Sequence, residues 1–229
     1  MKIASLFSGG KDSAFAIYEI QNKGHDVVCL LSVFPNSDES HLLHHPNIRW
    51  TTLQSESMKI PQLSVSSGSD DVDVELSALN LLLQKAKKQF GIGGVVHGGI
   101  QSNFQKDRFE TLCSELNLMP FTPLWGIDSE QYMNNLIDAN FDFIMTSVSS
   151  GGLDGSWLGK LISKSDINVL NHLSKKFGFN LNFEGGEAET FVIDCPLFIH
   201  PIKIMQSKKN WDGYRGRFEI VDAKLNCNA

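Results

Sequence analysis

No Cys-x-x-Cys pair, basic tail, internal repeat or apolar run near membrane-spanning length occurs in this chain, and each absence removes a class of function. Its four cysteines, Cys29, Cys113, Cys195 and Cys227, are scattered. That spacing argues against a structural zinc site or a disulfide framework and points to a reducing compartment. Cys29 and Cys113 stand in apolar contexts and read as core residues. Without a segment of about 18 apolar residues, and with Met1-Lys2-Ile3 running straight into a strand pattern, the expectation is a cytoplasmic protein with no membrane association. Twenty Lys plus Arg against 26 Asp plus Glu give a net charge of −6. That balance disfavours bulk nucleic acid as a partner.

What is present begins with the first strand. Lys2-Ile-Ala-Ser-Leu-Phe7 is a short apolar run, and Ala14-Phe-Ala-Ile-Tyr-Glu-Ile20 has helical periodicity. Between them lies Ser8-Gly-Gly-Lys-Asp-Ser13, a strand-to-helix turn. Gly9 and Gly10 let the backbone approach an anion closely, and the unpaired N–H groups of a first helical turn point at the same place. Ser8 and Ser13 add hydroxyls, Lys11 a cation, and Asp12 a carboxylate suited to the helix start. The reading is a phosphate cradle. A kinase loop would need Gly-x-x-x-x-Gly-Lys-Ser/Thr, but Ser5 stands five before Gly10 and Asp12 follows the lysine.

Further along, Asp26-Val-Val-Cys-Leu-Leu-Ser-Val33 reads as a buried parallel strand. The stretch 35–45, with His41, His44 and His45, reads as a solvated loop; His41 and His45 have helical spacing, yet no carboxylate or cysteine pattern accompanies them. Helices are expected over about 48–58, 74–90, 103–116, 129–139 and 166–177, and strands over 62–66, 94–98, 141–148, 191–193, 199–205 and 217–225. Gly98-Gly99 forms a second glycine turn after a strand, the edge of a parallel sheet where ligands bind. Pro120, Pro123 and Gly126 punctuate the chain, so a junction is placed there: an α/β unit over 1–122, doubly wound on a mainly parallel sheet, and a smaller α+β domain over 123–229.

The segment Phe183-Glu-Gly-Gly-Glu-Ala-Glu-Thr190 carries Glu184, Glu187 and Glu189 around Gly185 and Gly186. Three like charges so close together favour a nearby cation, metal or water.

Ser8–Ser13 resembles the PP-loop of the N-type ATP pyrophosphatases, which implies a HUP-like ATP-binding layer. The strand ending at Val33 would then meet the adenine. The ordered series Gly98-Gly-Ile-Gln-Ser102, Arg108-Phe-Glu110, Pro123-Leu-Trp125, Trp157-Leu-Gly159, Glu184-Gly-Gly-Glu-Ala-Glu-Thr190 and Asp194-Cys-Pro-Leu-Phe198 resembles the diphthine–ammonia ligase family over about residues 8–198. Ala188 departs from it, since that position is usually aromatic. The resemblance implies adenylation by ATP of the carboxylate of diphthine on translation elongation factor 2, and amidation by ammonium with release of AMP and pyrophosphate. It implies that Ser8, Gly9, Gly10, Lys11, Asp12 and Ser13, with Gly98 and Gly99, hold ATP, and that Mg2+ meets Asp12. Glu184, Gly185, Gly186, Glu187, Glu189 and Thr190, with Trp125 and Trp157 as faces and Arg108 as an anion contact, would form the acceptor site. In this reading Glu187 binds the acceptor's quaternary ammonium or serves as a general base toward ammonium. A PP-loop enzyme acting on tRNA or on a small-metabolite carboxylate is the alternative.

Overall fold

The computed structural model describes residues 1–34, 47–68 and 71–227; the 35–45 stretch with its three histidines lies outside them. Strands β1 (Lys2–Leu6), β2 (Asp26–Phe34), β3 (Gln62–Ser66), β4 (Gly94–Val96) and β5 (Met119–Phe121) form one sheet in the order β3-β2-β1-β4-β5. Every neighbouring pair is parallel. Helices α1 (Lys11–Asn22), α2 (Thr51–Met58), α3 (Val72–Phe90) and α4 (Asn103–Glu115) supply the connections. The order reverses beside β1, so the loops after β1 and β4 open a crevice at the strands' carboxyl ends.

β5 lies in the stretch whose prolines suggested only a break. Pro120 has no N–H to give a ladder, and the structure tolerates it because β5 is the sheet's edge. α3 begins two residues earlier than its periodicity predicts, because Asp71 caps it by accepting from Asp73 N and Val74 N. Leu79 and Leu83 are buried as expected, but so is Glu75.

After β5 come α5 (Ser129–Asp138), β6 (Asp142–Val148), α6 (Lys164–Phe177), β7 (Ala188–Asp194), β8 (Ile202–Trp211) and β9 (Gly216–Leu225). The second sheet has the order β7-β6-β9-β8 and is antiparallel. The 122/123 boundary falls between β5 and α5. Apolar packing does not stop there: one buried cluster runs from Ile3, Phe15 and Ile17 to Tyr132, Phe141 and Leu170. Burying that shared surface fixes how the two sheets face each other. Among the described residues no helix is long and apolar enough to cross a membrane, and Cys29, Cys113 and Cys195 are buried thiols.

Candidate active site

The PP-loop is held in shape by its own side chains. Ser13 Oγ donates to Gly10 O (3.0 Å), accepts from Ser8 N (3.3 Å) and meets Ser8 Oγ (3.2 Å). Gly9 lies at φ +81°, and a Cβ there would stand 2.5 Å from Gln54 Oε1, so only glycine fits. Gly10 starts α1 with no side-chain cap. The helix start has the layout of an anion site, with Gly10 N resting on Ser8 Oγ at 3.4 Å.

The second sheet grips this loop directly. Val192 N donates to Gly9 O (3.0 Å), and Lys11 N donates to Thr190 Oγ1 (3.1 Å). Gln54, fully buried on α2, donates through Nε2 to both Gly9 O (2.9 Å) and Val192 O (2.8 Å). The glycine turn after β4 closes the other side: a Cβ on Gly98 would come within 2.5–2.7 Å of the Asp12 and Ser13 backbone.

Lys11 does not extend toward a ligand as its sequence position suggests. Only 1% exposed, its ammonium donates to Asn182 O (2.7 Å) and to Asp12 Oδ1 and Oδ2 (2.9 and 3.1 Å). It also lies 5.3 Å from the Phe183 ring centre and 5.7 Å from that of Tyr132. The backbone at 182 draws it inward, and it joins the two sheets. Tyr132, fully buried, donates to Asp12 Oδ1 at 2.6 Å. Burial first, then the Asp12 carboxylate, push its hydroxyl well above the ordinary tyrosine range.

The acidic segment is divided. One oxygen of Glu184 accepts from three successive amides, Ile100 N (3.2 Å), Gln101 N (3.1 Å) and Ser102 N (3.1 Å). That carboxylate therefore shapes the glycine turn that packs on α1. Glu187 Oε1 accepts from Asn180 N at 2.8 Å, and Glu187 is not among the residues lining the cleft. Its expected part as a base or cation ligand meets a carboxylate already used to fold the 180–187 turn. Glu189 does line the cleft. Strand register sets it beside Ser147, Ser147 beside Arg217, and Arg217 beside Asn210, a row across all four strands of the second sheet.

The cleft, of about 1600 Å³, is lined by Ser8, Lys11, Asp12, Ser13, Val33, Gly98, Gly99, Glu184, Gly185, Gly186, Glu189 and Thr190 among the residues expected from sequence. Gly9 and Gly10, buried beneath the loop, are not in its lining, and neither are Arg108, Trp125 and Trp157. The Arg108 guanidinium stacks on Phe104, 3.4 Å from the ring centre, and donates to Phe104 O. Trp125 lies under the Lys106 ammonium (4.3 Å). Trp157 belongs to the apolar core at 7% exposure. An aromatic surface does reach the cleft, through Phe104, Phe183 and Trp211.

Sequence reasoning missed His97, Tyr132, Gln54 and the β8–β9 turn. His97 Nδ1 accepts from Gly99 N at 3.1 Å, its ring lies 5.0 Å from Phe109, and it lines the cleft. Burial, reinforced by the Lys106 charge, brings its pKa down to about 4, so the ring is neutral near pH 7. A signal for the β8–β9 turn was present: Asp212-Gly213 between two strand patterns is a hairpin signature, and Lys208, Lys209 and Arg215 flank it in an acidic chain.

Residues 1–120 match the family model described as diphthamide synthase N-terminal domain, and residues 128–225 match its C-terminal domain. The chain belongs to the diphthamide synthase family. Curated relatives named diphthine–ammonia ligase include one from Bos taurus, 33% identical over 91% of this chain and 84% of its own length, and one from Homo sapiens, 31% identical with the same coverage. Membership makes the chain a ligase of the PP-loop, ATP-using kind. Among solved structures, a predicted subunit of tRNA methyltransferase from Methanocaldococcus jannaschii aligns over 85% of this chain and 97% of its own, with a TM-score of 0.45 and 14% identity. That likeness is too loose to bear on function.

Proposed function

We propose that this ligase adenylates the carboxylate of diphthine on translation elongation factor 2 with ATP and amidates it with ammonium, releasing AMP and pyrophosphate. The observation that carries the reading is the hydrogen bond from Lys11 N to Thr190 Oγ1: the phosphate cradle and the family's acidic segment dock on each other and open into one cleft. An acceptor seated against Glu189 and Thr190 then lies beside a nucleotide seated on Ser8–Ser13.

A carboxylate is a poor acyl donor. Attack of its oxygen on the α-phosphorus forms an acyl–AMP anhydride and breaks the bond to pyrophosphate; ammonia then attacks the acyl carbon, an amide forms and AMP departs. In this chain the Ser8 and Ser13 hydroxyls and the amides around Gly9 and Gly10 stabilise the departing pyrophosphate. Leu31, Val33 and Leu79 line the apolar part of the cleft, where the base would sit. Glu189 supplies negative charge for the acceptor's quaternary ammonium.

The Asp12 carboxylate already receives Lys11 at both oxygens and Tyr132 at one. It fits Mg2+ only as a single protein oxygen, through Oδ2, for an ion carried mainly by phosphates and water. Such an ion would neutralise phosphate charge. Ala188, buried at 4% exposure, lines the cleft where the family usually has a ring, so this wall is set back around the acceptor.

The test is incubation of purified protein with ATP, ammonium and diphthine-bearing elongation factor 2. Mass spectrometry should show the acceptor's carboxylate converted to an amide only when all three are present. Amidation of a small-metabolite acid, with the elongation factor untouched, would replace this acceptor.

A further inference from the structure

The described cleft pairs a phosphate cradle with acidic side chains, Asp12, Glu184, Glu189 and Asp212, and the loop's own lysine is turned away. Lys11 lines the cleft, yet the residue is only 1% exposed and its ammonium donates to Asp12 and Asn182. A triphosphate entering such a cleft adds about four negative charges to those of the lining carboxylates, and with the Lys11 ammonium already engaged its charge has to be met by other cations. Among the described residues lining the cleft, the other lysines and arginines are Lys209 on β8, Arg215 in the β8–β9 turn and Arg217 on β9, all exposed.

The turn is built to hold them still. Asp212 Oδ1 accepts from Tyr214 N (2.8 Å) and Arg215 N (2.7 Å), and Asp212 N donates to Arg215 O (3.0 Å). Those backbone bonds hold the Asp212 carboxyl below its ordinary range. Gly216 is required because a Cβ there would meet Leu158 Cδ1 at 2.6 Å and Asn210 O at 2.8 Å.

The hairpin is also tied to the PP-loop through one helix. Trp50, just before α2, donates to Ile220 O (2.8 Å), while Gln54 on α2 donates to Gly9 O (2.9 Å). Across the second sheet Arg217 stands beside Ser147, Ser147 beside Glu189, and the next residue, Thr190, receives Lys11 N. The cationic turn and the phosphate cradle therefore share one rigid frame.

We propose that the β8–β9 turn is the second half of the phosphate site, with Arg217 as its principal contact and Lys209 and Arg215 beside it, supplying the positive charge that the PP-loop lysine does not. The partner is the phosphate chain of the nucleotide and the pyrophosphate that leaves it. The inference rests on the ATP-using reading above.

Direct binding separates the two. Calorimetry with the full chain should measure the affinity of magnesium ATP and of inorganic pyrophosphate for wild type, Arg217→Gln, Arg217→Lys and Lys203→Gln, the last on an exposed part of β8 outside the cleft. Losing one charge-assisted contact should weaken both ligands about tenfold in Arg217→Gln. Arg217→Lys should recover part of the loss, Lys203→Gln should match wild type, and circular dichroism should show all four folded at the temperature of the titration. Unchanged ATP and pyrophosphate affinity in Arg217→Gln overturns the proposal and leaves the ligase reading intact, including when the variant raises only the acceptor's KM. A wild-type chain that binds neither ligand overturns both.

Discussion

The ammonium of Lys11 meets the carbonyl oxygen of Asn182 at 2.7 Å, so the lysine of the nucleotide loop is spent joining the two sheets. This bond, the Thr190 hydroxyl on Lys11 N and the Gln54 amide on Gly9 O make the shape of the loop depend on residues far away in the chain.

Replacing Lys11 by Met should therefore act first on stability. It takes the buried ammonium away from the Asn182 carbonyl and from the Asp12 carboxylate, whose side chain is 33% exposed and keeps Tyr132, a loss on the order of 1–3 kcal/mol. Urea unfolding should show the midpoint falling with an unchanged slope. Folded Lys11→Met protein should still bind ATP.

Gly98→Ala should damage the nucleotide site itself. Its Cβ would press on the backbone of Asp12 and Ser13 at 2.5–2.7 Å, and backbone cannot rotate away. The expected cost is about 1–3 kcal/mol of stability, with a loss of ATP affinity measured by calorimetry in the protein that still folds.

Glu184 separates a positioning role from substrate recognition. If its carboxylate holds the turn after β4, Glu184→Ala frees the amides of Ile100, Gln101 and Ser102, and their hydrogen exchange should speed up in the protein without ligand. Glu184→Gln should fall in between, since a neutral acceptor is about half as strong as a charged one. Exchange equal to wild type in Glu184→Ala would contradict the role.

Stability should fall in mild acid because of His97. Its folded pKa, about 4, lies below the ordinary histidine value of 6.5, so between those values the unfolded chain binds the extra proton. Stability is fully present above about pH 6.5, declines as pH drops toward 4 and levels off below it, a total of roughly 3 kcal/mol. Unfolding measured at several pH values should show this decline in wild type and a smaller one in His97→Gln.

The sequence displays those parts of the site that depend on local backbone. Ser8–Ser13 is legible because two glycines between a strand and a helix define a cradle whatever the rest of the chain does, and the parallel sheet follows from apolar runs alternating with helical patterns. Lys11 is different: the motif fixes its position, but the direction of its side chain is decided by Asn182, 171 residues later. Tyr132 and Gln54 are lone polar residues on elements whose periodicity speaks only of packing. Trp125 and Trp157 read as recognition faces because tryptophan serves both purposes; depth of burial decides, and only the fold supplies it. β5 was hidden by Pro120, which is tolerated at a sheet edge. The Asp212-Gly213 turn was visible as a hairpin, whereas its place over the cleft comes from the pairing of β9 with β6.

The most direct measurement of the whole account is the fate of ATP. With nucleotide labelled at the α- and γ-positions, diphthine-bearing elongation factor 2 and ammonium, label should appear in AMP and pyrophosphate, in step with the amide formed. ADP and orthophosphate, with no AMP, would contradict it.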